Sequence, residues 1–149
     1  MKLLIATDGS DFSTAAVEVS SSLFGTDKDV EFKVVSVYEP MQPIAAEPFA
    51  LSAEYYDEIT AASRKEAEHF ATGAVELIRE RCPDANVSAE TLSGKPAHQI
   101  VEFAESWPAD MVIVGSHGRG FWGRLLGSVS NSVVTHAPCT VLVVRRSDK

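Results

Sequence analysis

The sequence predicts an α/β fold in which a five-stranded parallel sheet is sandwiched between layers of helices. Three observations predict it. Five short runs rich in aliphatic and β-branched residues, at 2–6, 30–38, 86–92, 111–114 and 140–144, alternate with segments whose apolar residues recur at helical spacing. A β-α-β-α-β-α-β-α-β order of this kind yields a parallel sheet with right-handed crossovers. The chain of 149 residues, 45% hydrophobic and 23% charged, is long enough to bury a continuous core and ordinary for a globular protein. Finally, two glycine-bearing loops, at 7–10 and 115–127, leave the ends of expected strands, and open parallel sheets hold ligands outside their carboxyl ends. No internal repeat, low-complexity tract or linker breaks the pattern, so residues 1–149 are expected to form one domain.

In order along the chain, Lys2-Leu3-Leu4-Ile5-Ala6 reads as a buried strand that Thr7-Asp8-Gly9-Ser10 breaks. Ser10 or Asp11 can cap the next helix. In that helix Phe12, Ala15, Ala16, Val19 and Leu23 fall on one face, and Gly25 stands where a C-cap is expected. The β-branched and aromatic run at 30–38 is the second strand. The connection at 39–54 carries Pro40, Pro43 and Pro48 among Met41, Ile44, Phe49 and Leu51. Its length reads either as a lid or partner surface, or as an ordinary surface excursion. The longest helix, 55–81, turns Ala67, Phe70, Ala71, Ala74, Leu77 and Ile78 toward the core, and Pro83 stops it. A third strand lies near 86–92. Pro96 opens the next helix, with Ala97, Ile100, Val101 and Ala104 facing inward. The fourth strand is 111–114, the last helix 128–136, and the fifth strand 140–144 follows Pro138.

A formal net charge of −8 argues against nucleic acid or an anionic membrane as partner, since both need a basic face. Met1-Lys2-Leu3-Leu4-Ile5-Ala6 is too short an apolar run for a signal peptide and meets Asp8 at once. No stretch approaches the roughly 18 apolar residues of a membrane helix. Cys82 and Cys139 lack metal-type spacing and form no disulfide framework, so a reduced, cytoplasmic protein is expected.

The most informative stretch is Met111-Val-Ile-Val-Gly-Ser-His-Gly-Arg-Gly-Phe-Trp-Gly-Arg-Leu-Leu-Gly-Ser128. Five glycines fall within 13 residues after a strand end, and Ser128 then opens a helix. Glycine lets the backbone approach an anion closely, and the first turn of a helix supplies unpaired N–H groups with partial positive charge. Strand, glycine loop and helix N-terminus together read as a phosphate site. A Walker A loop is absent. Gly118-Arg-Gly120-Phe-Trp-Gly123 matches the dinucleotide spacing, but it follows the fourth strand rather than the first. No acidic residue lies between Asp110 and Asp148, so a dehydrogenase is rejected.

Leu4-Ile5-Ala6-Thr7-Asp8-Gly9-Ser10, Gly94-Lys95-Pro96-Ala97, Val114-Gly115-Ser116-His117-Gly118 with Gly127-Ser128-Val129, and the final Pro138-Cys-Thr-Val-Leu-Val-Val144 together resemble the universal stress protein family over essentially the whole chain. The resemblance implies the Rossmann-like, three-layer fold of the adenine-nucleotide alpha-hydrolase type. It also implies bound ATP, with Mg2+ as a further candidate. Ala6, Thr7 and Asp8 would line the adenosine end with Val37 and Val114, the Asp8 carboxylate accepting from ribose hydroxyls or holding a metal through water. Gly115, Gly118, Gly127, Ser128 and the N–H groups of Val129 and Ser130 would hold the phosphates. The resemblance further implies a homodimer through 140–144 and a nucleotide-dependent regulatory role in stress response. The family spacing is Gly-x2-Gly-x9-Gly-[Ser/Thr]. Here eight residues separate Gly118 from Gly127, a shortening that is either absorbed at the tip, 119–124, or displaces Ser128 from the phosphates.

Other candidates read more blandly. Arg119 and Arg124 either neutralise phosphate or stay solvated. His117 is a hydrogen-bond donor or a bystander, Phe121 and Trp122 are exposed contacts or, the preferred reading, packing, and His69, His98 and His136 lie on helices without a metal-ligand pattern. No catalytic triad or carboxylate pair has a recognisable spacing. The rivals to an ATP-binding regulator are therefore an interaction dimer that has lost its nucleotide, and a slow ATPase or an enzyme autophosphorylating at Ser128 or Ser130.

Overall fold

The computed structural model describes residues 1–42, 52–118 and 126–146. Most of the 39–54 connection, and the loop tip with Arg119, Gly120, Phe121, Trp122, Gly123 and Arg124, lie outside the described residues. The elements are β1 (Lys2–Ala6), α1 (Asp11–Phe24), β2 (Glu31–Tyr38), α2 (Ala53–Arg81), β3 (Asn86–Ser93), α3 (Pro96–Ser106), β4 (Met111–Gly115), α4 (Ser128–His136) and β5 (Thr140–Val144). The expected order and helix starts hold, with bounds moving by no more than two residues.

The strands form one sheet in the order β3-β2-β1-β4-β5, and every pairing is parallel. Strand side chains alternate between faces. Leu3, Ile5, Phe32, Val34 and Ile113 therefore pack against Ala16 and Val17 of α1 and Ala71, Val75 and Ile78 of α2. Leu4, Val35, Val112 and Val114 pack on the other face against Ile100 and Ala104 of α3 and Val133 of α4. Both faces are covered, which is why the central strands read as continuous apolar runs. The chain steps from β1 toward β3 through α1 and α2, then returns to the other side of β1 through α3 and α4. The direction of winding reverses between neighbours β1 and β4, and a crevice opens at their carboxyl ends.

The α1 face differs from the sequence expectation. Its buried residues are Ser13, Ala16, Val17, Ser20 and Ser21, whereas Leu23 is 60% exposed. Ser20 Oγ donates to the Ala16 carbonyl at 2.6 Å and Ser21 Oγ to the Val17 carbonyl at 2.8 Å. With their hydroxyls satisfied inside the helix, these small residues go inward and let α1 approach the sheet closely. Gly25 caps α1 in a right-handed rather than left-handed conformation, φ −68°. A side chain there would run into Cys82 Sγ and the Ser21 carbonyl.

Cys82 and Cys139 are both free thiols. Burial pushes the Cys139 thiol up from its ordinary pKa, keeping it protonated at neutral pH. Among the described residues no helix is long and apolar enough to cross a membrane.

Candidate functional site

The two loops singled out in the sequence flank one crevice. A cavity of about 410 Å³ opens there, within the range of small-molecule sites. Its lining includes every residue expected to contact a nucleotide: Ala6, Thr7, Asp8, Val37, Val114, Gly115, Gly118, Gly127, Ser128, Val129 and Ser130. Ser13, Val35, Pro96, Ile100 and His117 line it as well.

Ala6, Val35, Val37 and Val114, from strand ends, join Pro96 and Ile100 of α3 as the apolar part of the lining. In the sequence Pro96 reads as a helix start and as part of the Gly94–Ala97 family motif, and Ile100 as core. The missed signal was position. Pro96 and Ile100 lie one turn apart at the start of the helix that follows β3, at the same end of the sheet as the two loops.

The polar part rests on α4. Helices α1 and α2 are capped by side chains, Ser10 accepting from the Ser13 N–H and Ser52 from the Tyr55 N–H. Helix α4 is not. Its N-cap is Gly127, in extended conformation (φ −61°, ψ 161°), which makes no side-chain cap hydrogen bond. The first intrahelical bond is Asn131 N–H to the Gly127 carbonyl at 2.9 Å. Ser128, Val129 and Ser130, whose N–H groups precede it, all line the cavity. An uncapped helix start facing a cavity offers hydrogen-bond donors and the positive end of the helix dipole to an anion.

The stem of the glycine loop is closed despite its shortening. The Gly127 N–H donates to the Ser116 carbonyl at 2.9 Å, and the Ser116 N–H donates to the Val144 carbonyl of β5 at 2.8 Å. Ser130 Oγ, in a residue only 3% exposed, donates to the Ser116 carbonyl at 2.9 Å and lies 3.1 Å from the Gly127 carbonyl. The Ser130 hydroxyl is thus a strut of the loop stem, and only its N–H is available to the role expected of it. Ser128 is exposed. Ser128 and Gly118 both line the cavity.

Asp8 stands on a network of hydroxyls. Its Oδ1 accepts from the Ser10 N–H at 3.0 Å and from Ser10 Oγ at 2.6 Å. Buried Ser13 Oγ accepts from Thr7 Oγ1 at 3.1 Å and donates to the Ser10 carbonyl at 2.9 Å. Gly9 makes the turn with φ +74°, a left-handed conformation that side chains resist, and the Phe70 ring of α2 covers its Cα. Asp8 is a turn former whose residue also lines the cavity.

Gly115 has a packing role as well as its place in the cavity lining. A Cβ there would lie 2.6 Å from the Phe12 carbonyl carbon and 2.9 Å from the Ser13 nitrogen, so the residue lets α1 dock on β4. His117 sits with its ring centroid 5.1 Å from that of Phe12, and its Nδ1 is 3.0 Å from Ser116 Oγ. His69, His98 and His136 lie exposed on helices. Among the described residues no group of three or more His, Cys, Asp or Glu side chains could hold a metal ion.

The model of the universal stress protein family matches residues 1–145. The chain belongs to this family. A universal stress protein of Methanocaldococcus jannaschii is 35% identical over 150 residues, covering 99% of this chain and 84% of that protein. The structure of the universal stress protein UspA from Lactobacillus plantarum superposes with a TM-score of 0.81 at 24% identity, covering 97% of each chain. A universal stress protein family member from Arabidopsis thaliana, solved with AMP bound, gives 0.72 at 19% identity over 99% of this chain and 93% of that one. These two structural likenesses establish the shared universal stress protein fold.

Proposed function

We propose that this universal stress protein binds ATP in the β1–β4 crevice and acts as a nucleotide-dependent regulatory module, residues 1–149 working as one domain in a reduced, cytoplasmic setting. The observation that carries the proposal is the first turn of α4, without a side-chain cap from Gly127, facing a cavity that combines apolar strand and α3 residues with the Asp8 carboxylate and the polar Thr7, Ser13 and His117. The apolar part takes the adenine. Asp8 accepts from the ribose, and the Ser128, Val129 and Ser130 N–H groups with Gly118 take the phosphates. A divalent ion such as Mg2+ would be held by the phosphates, with Asp8 reaching it through water. A family member of the same fold holding AMP is consistent with an adenine nucleotide here.

The test is to denature the purified protein, identify released small molecules by mass spectrometry, and titrate ATP, ADP and adenosine calorimetrically. Bound adenine nucleotide, or micromolar ATP affinity, is the expected result. A protein that carries nothing and ignores all three ligands would leave the interaction dimer as its function. Asp8→Ala is expected to weaken ATP and ADP together by about tenfold, the worth of a hydrogen bond to a charged acceptor. Loss confined to ATP would move Asp8 to the phosphates or the metal.

The proposed dimer is formed by β5. The two sheet edges differ in chemistry: β3 carries Glu90 with Asn86, Ser88, Thr91 and Ser93, whereas β5 is Thr-Val-Leu-Val-Val with no charge. Uncharged edges pair. Thr140→Lys, at an exposed position of β5, is expected to turn a dimer into a folded monomer in light scattering. An unchanged mass would place the interface elsewhere.

A further inference from the structure

Two glycines of the site look alike in sequence and fail differently when a side chain is built on them. At Gly115 the atoms in the way are backbone atoms of α1. At Gly118 the nearest atom among the described residues is Oδ2 of Asp8, 2.7 Å from where a Cβ would stand, and among those residues only that same carboxylate lies within 4 Å. The Asp8 carboxylate therefore rests on the bare Cα of Gly118. Its Oδ1 is held within its own turn by the Ser10 N–H and hydroxyl, at 3.0 and 2.6 Å. Ser10 is itself fixed as the N-cap of α1, and buried Ser13 donates to its carbonyl.

We infer that residue 118 is a specificity-determining position for the nucleoside end of the ligand, because the missing side chain of Gly118 seats the Asp8 carboxylate. The inference rests on the nucleotide reading of the cavity and goes past it. A glycine expected to serve the phosphates through backbone approach also sets the aim of a carboxylate on the other loop. Adding a methyl group at 118 has one cheap relief, rotation of the Asp8 side chain. Rotation breaks the Ser10 contacts and takes the carboxylate off the ribose, and among the described residues no backbone atom stands in the way of the added methyl group. The two loops thereby share one geometry: a shift of the backbone at 118 on phosphate binding moves the seat of Asp8.

The test is a double-mutant cycle read with adenosine, which has no phosphate, alongside ATP. Gly118→Ala should melt with the wild type and bind adenosine about tenfold more weakly, as Asp8→Ala does. In the Asp8→Ala background, adding Gly118→Ala should cost adenosine less than twofold, so that the double variant is about tenfold rather than about a hundredfold weakened. Gly118→Ala with full adenosine affinity and reduced ATP affinity would overturn the inference and return Gly118 to the phosphates alone. So would additive losses. A ligand-independent measurement separates this outcome from failure of the nucleotide reading. In the nucleotide-free protein, Gly118→Ala should shift the Ser10 amide and Asp8 carboxyl carbon signals in NMR. Unshifted signals overturn the seating of Asp8 whatever the ligand proves to be, whereas shifted signals in a protein that binds no adenosine sustain the seating and sink the ligand.

Discussion

Gly115→Ala is expected to destabilise the protein by about 3 kcal/mol, the cost of forcing extra volume against rigid backbone in a close-packed interior. The Cβ would lie 2.6 Å from the Phe12 carbonyl carbon, 2.7 Å from its oxygen and 2.9 Å from the Ser13 nitrogen. None of these atoms belongs to a side chain that could turn away. Relief requires α1 to lift from β4, and the first turn of α1 carries Ser13, whose hydroxyl bonds Thr7 and the Ser10 carbonyl. The damage should therefore spread into the Asp8 loop and lower nucleotide affinity as well. Urea unfolding followed by far-UV circular dichroism measures it. With a slope of about 1–3 kcal/mol per molar, the midpoint should fall by about 1 M or more. An unmoved midpoint would mean that α1 yields at this contact at little cost.

Ser128→Pro is expected to weaken ATP binding by about 10- to 100-fold while the fold stands, which corresponds to roughly 1.5–3 kcal/mol for a lost bond to a charged group. Proline is favoured at the first position of a helix, where its missing N–H has no intrahelical partner. It needs an extended residue before it, and Gly127 already has ψ 161°. The substitution thus deletes the N–H donor and the hydroxyl without asking the backbone to move. Ser128→Ala deletes only the hydroxyl. The difference between the two variants in calorimetry isolates the backbone donor, and equal affinities would remove the α4 N-terminus as the phosphate anchor. The contrast with Gly115 is physical. Position 128 is exposed and faces the cavity, whereas 115 is buried against α1.

Much of this site was legible before the fold was known, because strand ends announce themselves. The runs of β-branched residues stop at Thr7 and Gly115, and the order of elements alone places both stops at one end of a parallel sheet. Gly127 and Ser128 were legible because a helix-periodic segment starts after a glycine. The inward face of α1 was not. Ser20 and Ser21 count as polar in any pattern of hydrophobicity, yet both are buried, since each hydroxyl bonds a carbonyl one turn back. Ile100 was read as core, correctly, but its place in the cavity lining depends on how far α3 stands from β1 and β4, a distance that no spacing along the chain encodes.

The sequence by itself determined the family, the alternation of strands and helices, the two loops of the site and the candidate residues they bring to it. Each of these rests on local preference: β-branched runs, helical periodicity, and glycine or serine at helix starts. Only the tertiary structure decided what each glycine is for. Gly115, Gly118 and Gly127 are chemically identical and all line one cavity. One admits the backbone of α1, one seats the Asp8 carboxylate, and one leaves α4 without a side-chain cap. A residue without a side chain takes its meaning from the atom that occupies the missing volume, and that atom belongs to a segment distant in the chain.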